Sequence, residues 1–335
     1  MSSSIFDLEE RRIEREIQRR QPKLVSIQLP EGLKPCSWKL VKLVEKSGAL
    51  AVVSANPCYG SCDLALLEAQ ILGADLIVHF GHSEILKQDK VPTIYIETRA
   101  KGHVRNIVKK AVPLLEPWRK IGLVTTIQHI HRLEEARQAL AEAGKSVVIG
   151  NAGRLKYAGQ VTGCDYSNAK TVSQEVDSFL FVGGGRFHPL GVALATSKPT
   201  FVADPFQKRI IEVTDEAKRM KKKRYASICD FRKAERIGII IGLKPGQKSL
   251  DQALRLRKIL EKSGRQTMLL ALTEITPEAL MQFPVIDAFI NTACPRISLD
   301  DTERFLKPLL THLETLVALG EIGWDELCRK GWFEN

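Results

Sequence analysis

Three times along the chain, a short continuous apolar run leads through a polar turn into a stretch with apolar positions three and four apart, then into a second apolar run. The first pass is Leu24-Val25-Ser26-Ile27-Gln28-Leu29, a helical stretch over 37–47, and Ala51-Val52-Val53. The second is Lys120-Ile121-Gly122-Leu123-Val124, a helix over 131–143, and Ser146-Val147-Val148-Ile149. The third is Arg236-Ile237-Gly238-Ile239-Ile240-Ile241, a helix over 249–263, and Thr267-Met268-Leu269-Leu270. Continuous apolar runs suit strands covered on both faces, and a helix between two of them predicts a βαβ unit in a parallel sheet. Each helix stops at a glycine that can take the left-handed cap: Gly48, Gly144 and Gly264. Further strands are expected at 74–80, 93–96, 178–182, 200–203 and 286–290. The pattern predicts an α/β fold of three related Rossmann-like domains, each a small parallel sheet flanked by helices, spanning 1–118, 119–228 and 229–335. The segment 306–319 and the tail ending in Trp332-Phe333 are expected to follow the last sheet and dock on it.

Ligands of open parallel sheets bind beyond the carboxyl ends of the strands, and here those ends carry the uncommon residues. Val53 is followed by Ser54-Ala55-Asn56-Pro57-Cys58-Tyr59-Gly60-Ser61-Cys62-Asp63, and Phe80 by Gly81-His82-Ser83. A long loop after Ile149 reaches Thr162-Gly163-Cys164-Asp165-Tyr166. Val182 leads into Gly183-Gly184-Gly185-Arg186-Phe187-His188-Pro189, and Ile290 into Asn291-Thr292-Ala293-Cys294-Pro295-Arg296. The repetition predicts a central site on which the three domains converge.

Composition narrows the class. With 335 residues, 44% hydrophobic and 27% charged, the chain is an ordinary globular protein of two or three domains, neither disordered nor a disulfide scaffold. No apolar run approaches the ~18–20 residues of a membrane span. The charged start, Met1 to Gln21, does not read as a signal peptide, so a cytoplasmic location with reduced thiols is expected. Its alternating charges predict a surface or dimer-contact helix. The net charge of +11 favours anionic partners. The densest basic run, Lys218 to Arg224, reads either as a nucleic-acid patch or as a solvated helix face between domains.

The seven cysteines sort by position. Cys36, Cys229 and Cys328 fall beside a helix start, in an interdomain stretch and in a terminal helix, and read as small apolar filler. Cys58, Cys62, Cys164 and Cys294 all lie in strand-end loops, and soft thiolates suit zinc or an iron–sulfur cluster. Cys62, Cys164 and Cys294 are 102 and 130 residues apart, one to a repeat. Three thiolates on a four-iron cluster would leave one iron open to a substrate. On spacing alone, unrelated loop thiols remain an alternative, as does a nucleophilic Cys62 with His82 or His188 as its base.

Several motifs resemble one family. Pro30-Glu31-Gly32-Leu33, Cys58-Tyr59-Gly60-Ser61-Cys62-Asp63, Gly73-Ala74-Asp75-Leu76-Ile77-Val78-His79-Phe80-Gly81-His82-Ser83 and Tyr95-Ile96-Glu97-Thr98-Arg99 are similar to those of the diphthamide-synthesis enzymes, the 2-(3-amino-3-carboxypropyl)histidine synthases. The likeness continues through Val182–Gly191 and Asn291–Arg296, and the single chain resembles the archaeal homodimeric form.

The resemblance implies a non-classical radical S-adenosylmethionine enzyme. Three cysteines would hold a 4Fe-4S cluster, and matching the motifs assigns them to Cys62, Cys164 and Cys294, with Cys58 an extra neighbouring thiol. S-adenosylmethionine would be cleaved at its Cγ–S bond, leaving 5′-methylthioadenosine. The 3-amino-3-carboxypropyl group would pass to C2 of a histidine on translation elongation factor 2. A homodimer and an electron donor of unspecified identity are implied as partners. Gly183, Gly184 and Gly185 offer close backbone approach for the methionine carboxylate or ribose, or simply a tight turn. Arg186 and Arg296 are expected to clamp a carboxylate or to pair on the surface. His82 and His188 would line the cavity or orient the target imidazole, with Gln28 and Glu31 as weaker candidates. The competing reading is a non-catalytic iron–sulfur or zinc scaffold that binds a translation factor or RNA.

Overall fold

The computed structural model describes residues 5–85, 87–88 and 90–333. It contains three sheets. The first holds β1 (Leu24–Gln28), β2 (Leu50–Val53), β3 (Leu76–Phe80) and β4 (Thr93–Ile96), all parallel, in the order β2-β1-β3-β4. The second holds β5 (Lys120–Thr125), β6 (Ser146–Val148), β7 (Ser178–Val182), β8 (Thr200–Asp204) and β9 (Arg209–Glu212), in the order β6-β5-β7-β8-β9. The third holds β10 (Arg236–Gly242), β11 (Gln266–Leu272), β12 (Ala288–Asn291) and β13 (Leu309–Thr311), in the order β11-β10-β12-β13. Apart from β9, which runs antiparallel to β8, every strand pair is parallel. The fold is α/β, built of three predominantly parallel sheets with helices packed on them.

The chain divides into two compact units. The first sheet lies in one, formed by the chain up to His103 with Ile127–Arg132 and Lys244–Gly246. The other two sheets lie in the second, formed by Val104–Thr126, Leu133–Leu243 and the chain from Gln247.

The same strand order recurs three times, and one local device recurs with it. An aspartate just before the third strand of each sheet accepts hydrogen bonds from the backbone N–H groups that open the first strand. Asp75 Oδ2 takes Lys23 and Leu24 at 2.8 and 3.0 Å. Asp177 Oδ2 takes Arg119 and Lys120 at 3.0 and 2.8 Å, and Asp287 Oδ2 takes Glu235 and Arg236 at 3.3 and 2.8 Å. These bonds stabilise the charged carboxylate, so all three are held below the usual aspartate range. The helix-ending glycines are likewise repeated, with φ of 97° at Gly48, 76° at Gly144 and 83° at Gly264.

Three sequence expectations are corrected. The segment 306–319 does not follow the third sheet but supplies its fourth strand, β13, and the helix His312–Ala318. The middle sheet gains a fifth, antiparallel strand, β9. The basic run lies on a long helix, Thr214–Phe231. Within that helix the basic run is not uniformly solvated, because Arg224 is 1% exposed and paired with the buried Glu314 at 2.6 Å. The N-terminal helix, Glu10–Arg20, buries Ile13 and Ile17 in the core of its own unit, which accounts for its amphipathic pattern without a partner chain. The tail is anchored in the second unit, where Trp332 Nε1 donates to Glu314 at 2.7 Å and Phe333 packs 4.6 Å from the Tyr166 ring.

Candidate functional site

In the first unit, the loop from Cys58 to Asp63 leaves the end of β2 and is pinned at several points. Gln28, the last residue of β1, donates from Nε2 to the Asp63 carbonyl at 2.6 Å and accepts the Ala65 N–H on Oε1 at 3.0 Å. Asp63 Oδ2 is 2.6 Å from Lys244 Nζ in a buried ion pair, and the same ammonium lies over the Tyr59 ring at 4.4 Å. Gly246 donates its N–H to the Cys62 carbonyl at 2.7 Å. A side chain at 246 would come within 2.6 Å of the Cys62 Cα and Cβ, so only glycine fits there without moving the loop. The segment Lys244–Gly246 is therefore a clamp on the Cys62 loop. Sequence reasoning missed it, although it too is a strand-end loop, the one following β10.

Behind this loop, paired strands bring Gln28 beside His79. His79 Nδ1 is 2.8 Å from Gln28 Oε1, and its Nε2 is 3.0 Å from His82 Nδ1. Burial holds both imidazoles neutral: His79 lies well below the usual histidine range, and His82 falls to about 4 despite the favourable Phe80 carbonyl. Cys58 is buried against this pair, its thiol pushed up to about 12 by burial and by the charges of Asp63 and Glu31. Glu31 itself is exposed and pairs with Lys34 at 3.0 Å. Gln28 thus serves as a structural brace, a role the sequence alone did not reveal.

In the second unit, Cys164 lies in the loop after β6 and Cys294 in the loop after β12. The fully buried Tyr166 hydroxyl lies in electrostatic range of both thiols and of Arg296, and its burial keeps it protonated. Arg296 is 4% exposed, with its guanidinium 3.8 Å from the Phe187 ring centroid. Its Nε lies 2.7 Å from Asp300 Oδ2, and Nη2 donates to the Phe187 carbonyl at 2.9 Å. Its Nη1 is buried with no hydrogen-bond partner among the described residues.

The glycine loop offers less than its sequence promises. The Gly183 N–H is taken by the Ala203 carbonyl at 3.1 Å, and the Gly185 N–H points to Asp204 Oδ2 at 3.4 Å. Arg186 forms a surface pair with Glu216 at 2.8 Å. His188 stacks on Phe181, with ring centroids 6.1 Å apart and planes inclined by 6°. All seven cysteines are thiols, with Cys164 exposed, Cys62 and Cys294 half-buried and Cys58 buried. Cys36 and Cys328 pack against the hydrophobic cores of their units, as small filler does.

The model of the diphthamide synthesis protein family matches residues 29–328. The chain belongs to this family. It is 36% identical to the 2-(3-amino-3-carboxypropyl)histidine synthase of Pyrococcus horikoshii, over 96% of this chain and 94% of that protein. It is 32% identical to subunit 1 of the human synthase, over 92% of this chain and 71% of that subunit. Among solved structures, Dph2 from Pyrococcus horikoshii with a 4Fe-4S cluster superposes with a TM-score of 0.88 at 34% identity, covering 98% of this chain and 94% of that one.

Thiolate sulfur, the donor type that holds iron–sulfur clusters, is present in strand-end loops of both units of this diphthamide-family chain. Three soft sulfur donors lie in the strand-end loops of three sheets and are accessible or half-buried. Two of them share the neighbourhood of one buried tyrosine. Among the described residues, no helix is long and apolar enough to cross a membrane.

Proposed function

We propose that this chain transfers the 3-amino-3-carboxypropyl group of S-adenosylmethionine to C2 of a histidine imidazole on translation elongation factor 2, the first step of diphthamide formation. Cys62, Cys164 and Cys294 would hold a 4Fe-4S cluster, each contributed by one of three Rossmann-like repeats. When bound, that cluster supplies the low-potential electron needed to cleave the Cγ–S bond of the sulfonium, with 5′-methylthioadenosine as the other product.

The observation that carries the reading is Arg296, a buried cation that shares the surroundings of Tyr166 with Cys164 and Cys294 and whose Nε and Nη1 have no hydrogen-bond partner among the described residues. A buried, unpaired guanidinium N–H is costly, and a carboxylate is its natural complement. In this reading Arg296 Nη1 takes the methionine carboxylate, while Asp300 and the Phe187 carbonyl hold the rest of the guanidinium in place. Tyr166 stays protonated and turns its hydroxyl to the Gly163 carbonyl at 3.3 Å, fixing the backbone next to Cys164. Phe181 stacks on His188 and Phe187 meets it edge-on, which fixes the plane of that imidazole.

The +11 charge supports an acidic protein partner. Exposed Leu67 and Ile71, 69% and 75% accessible, support a homodimer. An external one-electron donor and a cytoplasmic setting with reduced thiols complete the proposal. The test is iron content and visible absorbance after anaerobic purification. Cys62→Ala, Cys164→Ala and Cys294→Ala each lose the cluster and Cys58→Ala keeps it. Loss in Cys58→Ala with retention in Cys62→Ala would overturn the ligand assignment.

A further inference from the structure

We infer that Cys58, His79 and His82 form a second, mononuclear site for a borderline-soft divalent cation of the zinc type, separate from the cysteines assigned to the cluster. One ligand atom from each residue lies within 4.8 Å of the others, and the two imidazole nitrogens are already 3.0 Å apart. Tetrahedral zinc, with bonds of ~2.0–2.1 Å to nitrogen and ~2.3 Å to sulfur, sets its ligand atoms ~3.3–3.7 Å from one another. A slight spreading of the two rings and a small inward movement of the Cys58 thiol complete that arrangement.

The hydrogen-bond network orients one imidazole for this task. Gln28 Oε1 accepts the Ala65 N–H, and its Nε2 donates to the Asp63 carbonyl, so the amide orientation is fixed. His79 Nδ1 must then donate to Gln28 Oε1, which leaves the His79 Nε2 lone pair facing His82. A histidine ligand steadied through its other ring nitrogen by an oxygen acceptor is the usual outer-sphere support of a metal site. His79 is tied to β3 and fully buried, Cys58 is buried, and His82 is half-buried.

The donors are one sulfur and two nitrogens, which selects zinc-like ions over magnesium or calcium. Binding displaces the thiol proton, so uptake strengthens as pH rises. The site also gives His82 a task other than orienting the substrate imidazole and leaves His188 open to that role.

Zinc alone is the probe, added to the full-length, cluster-loaded protein and removed to equilibrium by dialysis. Bound zinc is measured with iron in the same samples, and X-ray absorption at the zinc edge reads its ligand shell without interference from iron. The expected result is one zinc per chain with one sulfur and two imidazole nitrogens, lost in Cys58→Ser and at least tenfold weaker in His82→Gln. Circular dichroism shows whether each variant folds; if Cys58→Ser does not, His82→Gln decides. No retained zinc, a shell of three sulfurs, or undiminished binding in the folded variants would overturn the inference. Because zinc is read independently of activity, failure here leaves the transferase reading intact, and the reverse also holds.

Discussion

Arg224 ends a run of basic residues, yet its guanidinium is buried and hydrogen-bonded on every nitrogen. It pairs through Nε and Nη2 with both oxygens of Glu314 at 2.7 and 2.6 Å and donates to the Ser298 and Leu309 carbonyls, each at 2.8 Å. Glu314 in turn accepts the Thr311 N–H at 2.8 Å and the Trp332 indole at 2.7 Å. One ion pair therefore joins the long helix, the last strand and the C-terminal tail. Removing the cation alone strands a buried carboxylate, a loss of ~3–5 kcal/mol. Arg224→Met is thus expected to lower the unfolding free energy, read from denaturant curves, by that amount. A change below ~1 kcal/mol, the scale of a surface pair, would contradict the account. The sequence hid this residue because a basic run gives no sign of which member points inward. It hid the Lys244–Asp63 pair for a different reason: 181 positions separate the partners, and only folding brings them together.

The strands were legible where they are long, apolar and covered on both faces, as in β3 and β7, whose residues are all buried. Two were not. β9, Arg209-Ile210-Ile211-Glu212, has a polar residue at each end, and β13 is three residues long. The repeat itself was legible, but its bracing aspartates were not, because one Asp before an apolar run looks like any turn residue. Those carboxylates carry a pH signature. Their folded-state pKa values are depressed, so the stabilisation is complete above the ordinary aspartate range near ~4 and disappears as pH falls through the lower folded values. Asp75→Asn and Asp177→Asn are expected to be less stable than the parent at neutral pH and to converge with it in acid. Parallel stability curves across pH 2–7 would show that these contacts carry no such linkage.

At the scale of the whole molecule, the fold and the candidate ligands followed from separate features of the chain. The α/β architecture follows from the thrice-repeated run of strand, helix and strand. The cysteines became informative only through their place at strand ends. The motif likeness and the match along most of the chain then place the protein in one family of enzymes. The central claim is the choice of bond broken in S-adenosylmethionine. Its most direct test incubates the reduced, cluster-loaded chain with S-adenosylmethionine and elongation factor 2, then identifies the nucleoside product and the modified residue. The account predicts 5′-methylthioadenosine, matched by one 3-amino-3-carboxypropyl group on a histidine of the factor; 5′-deoxyadenosine with an unmodified factor would contradict it.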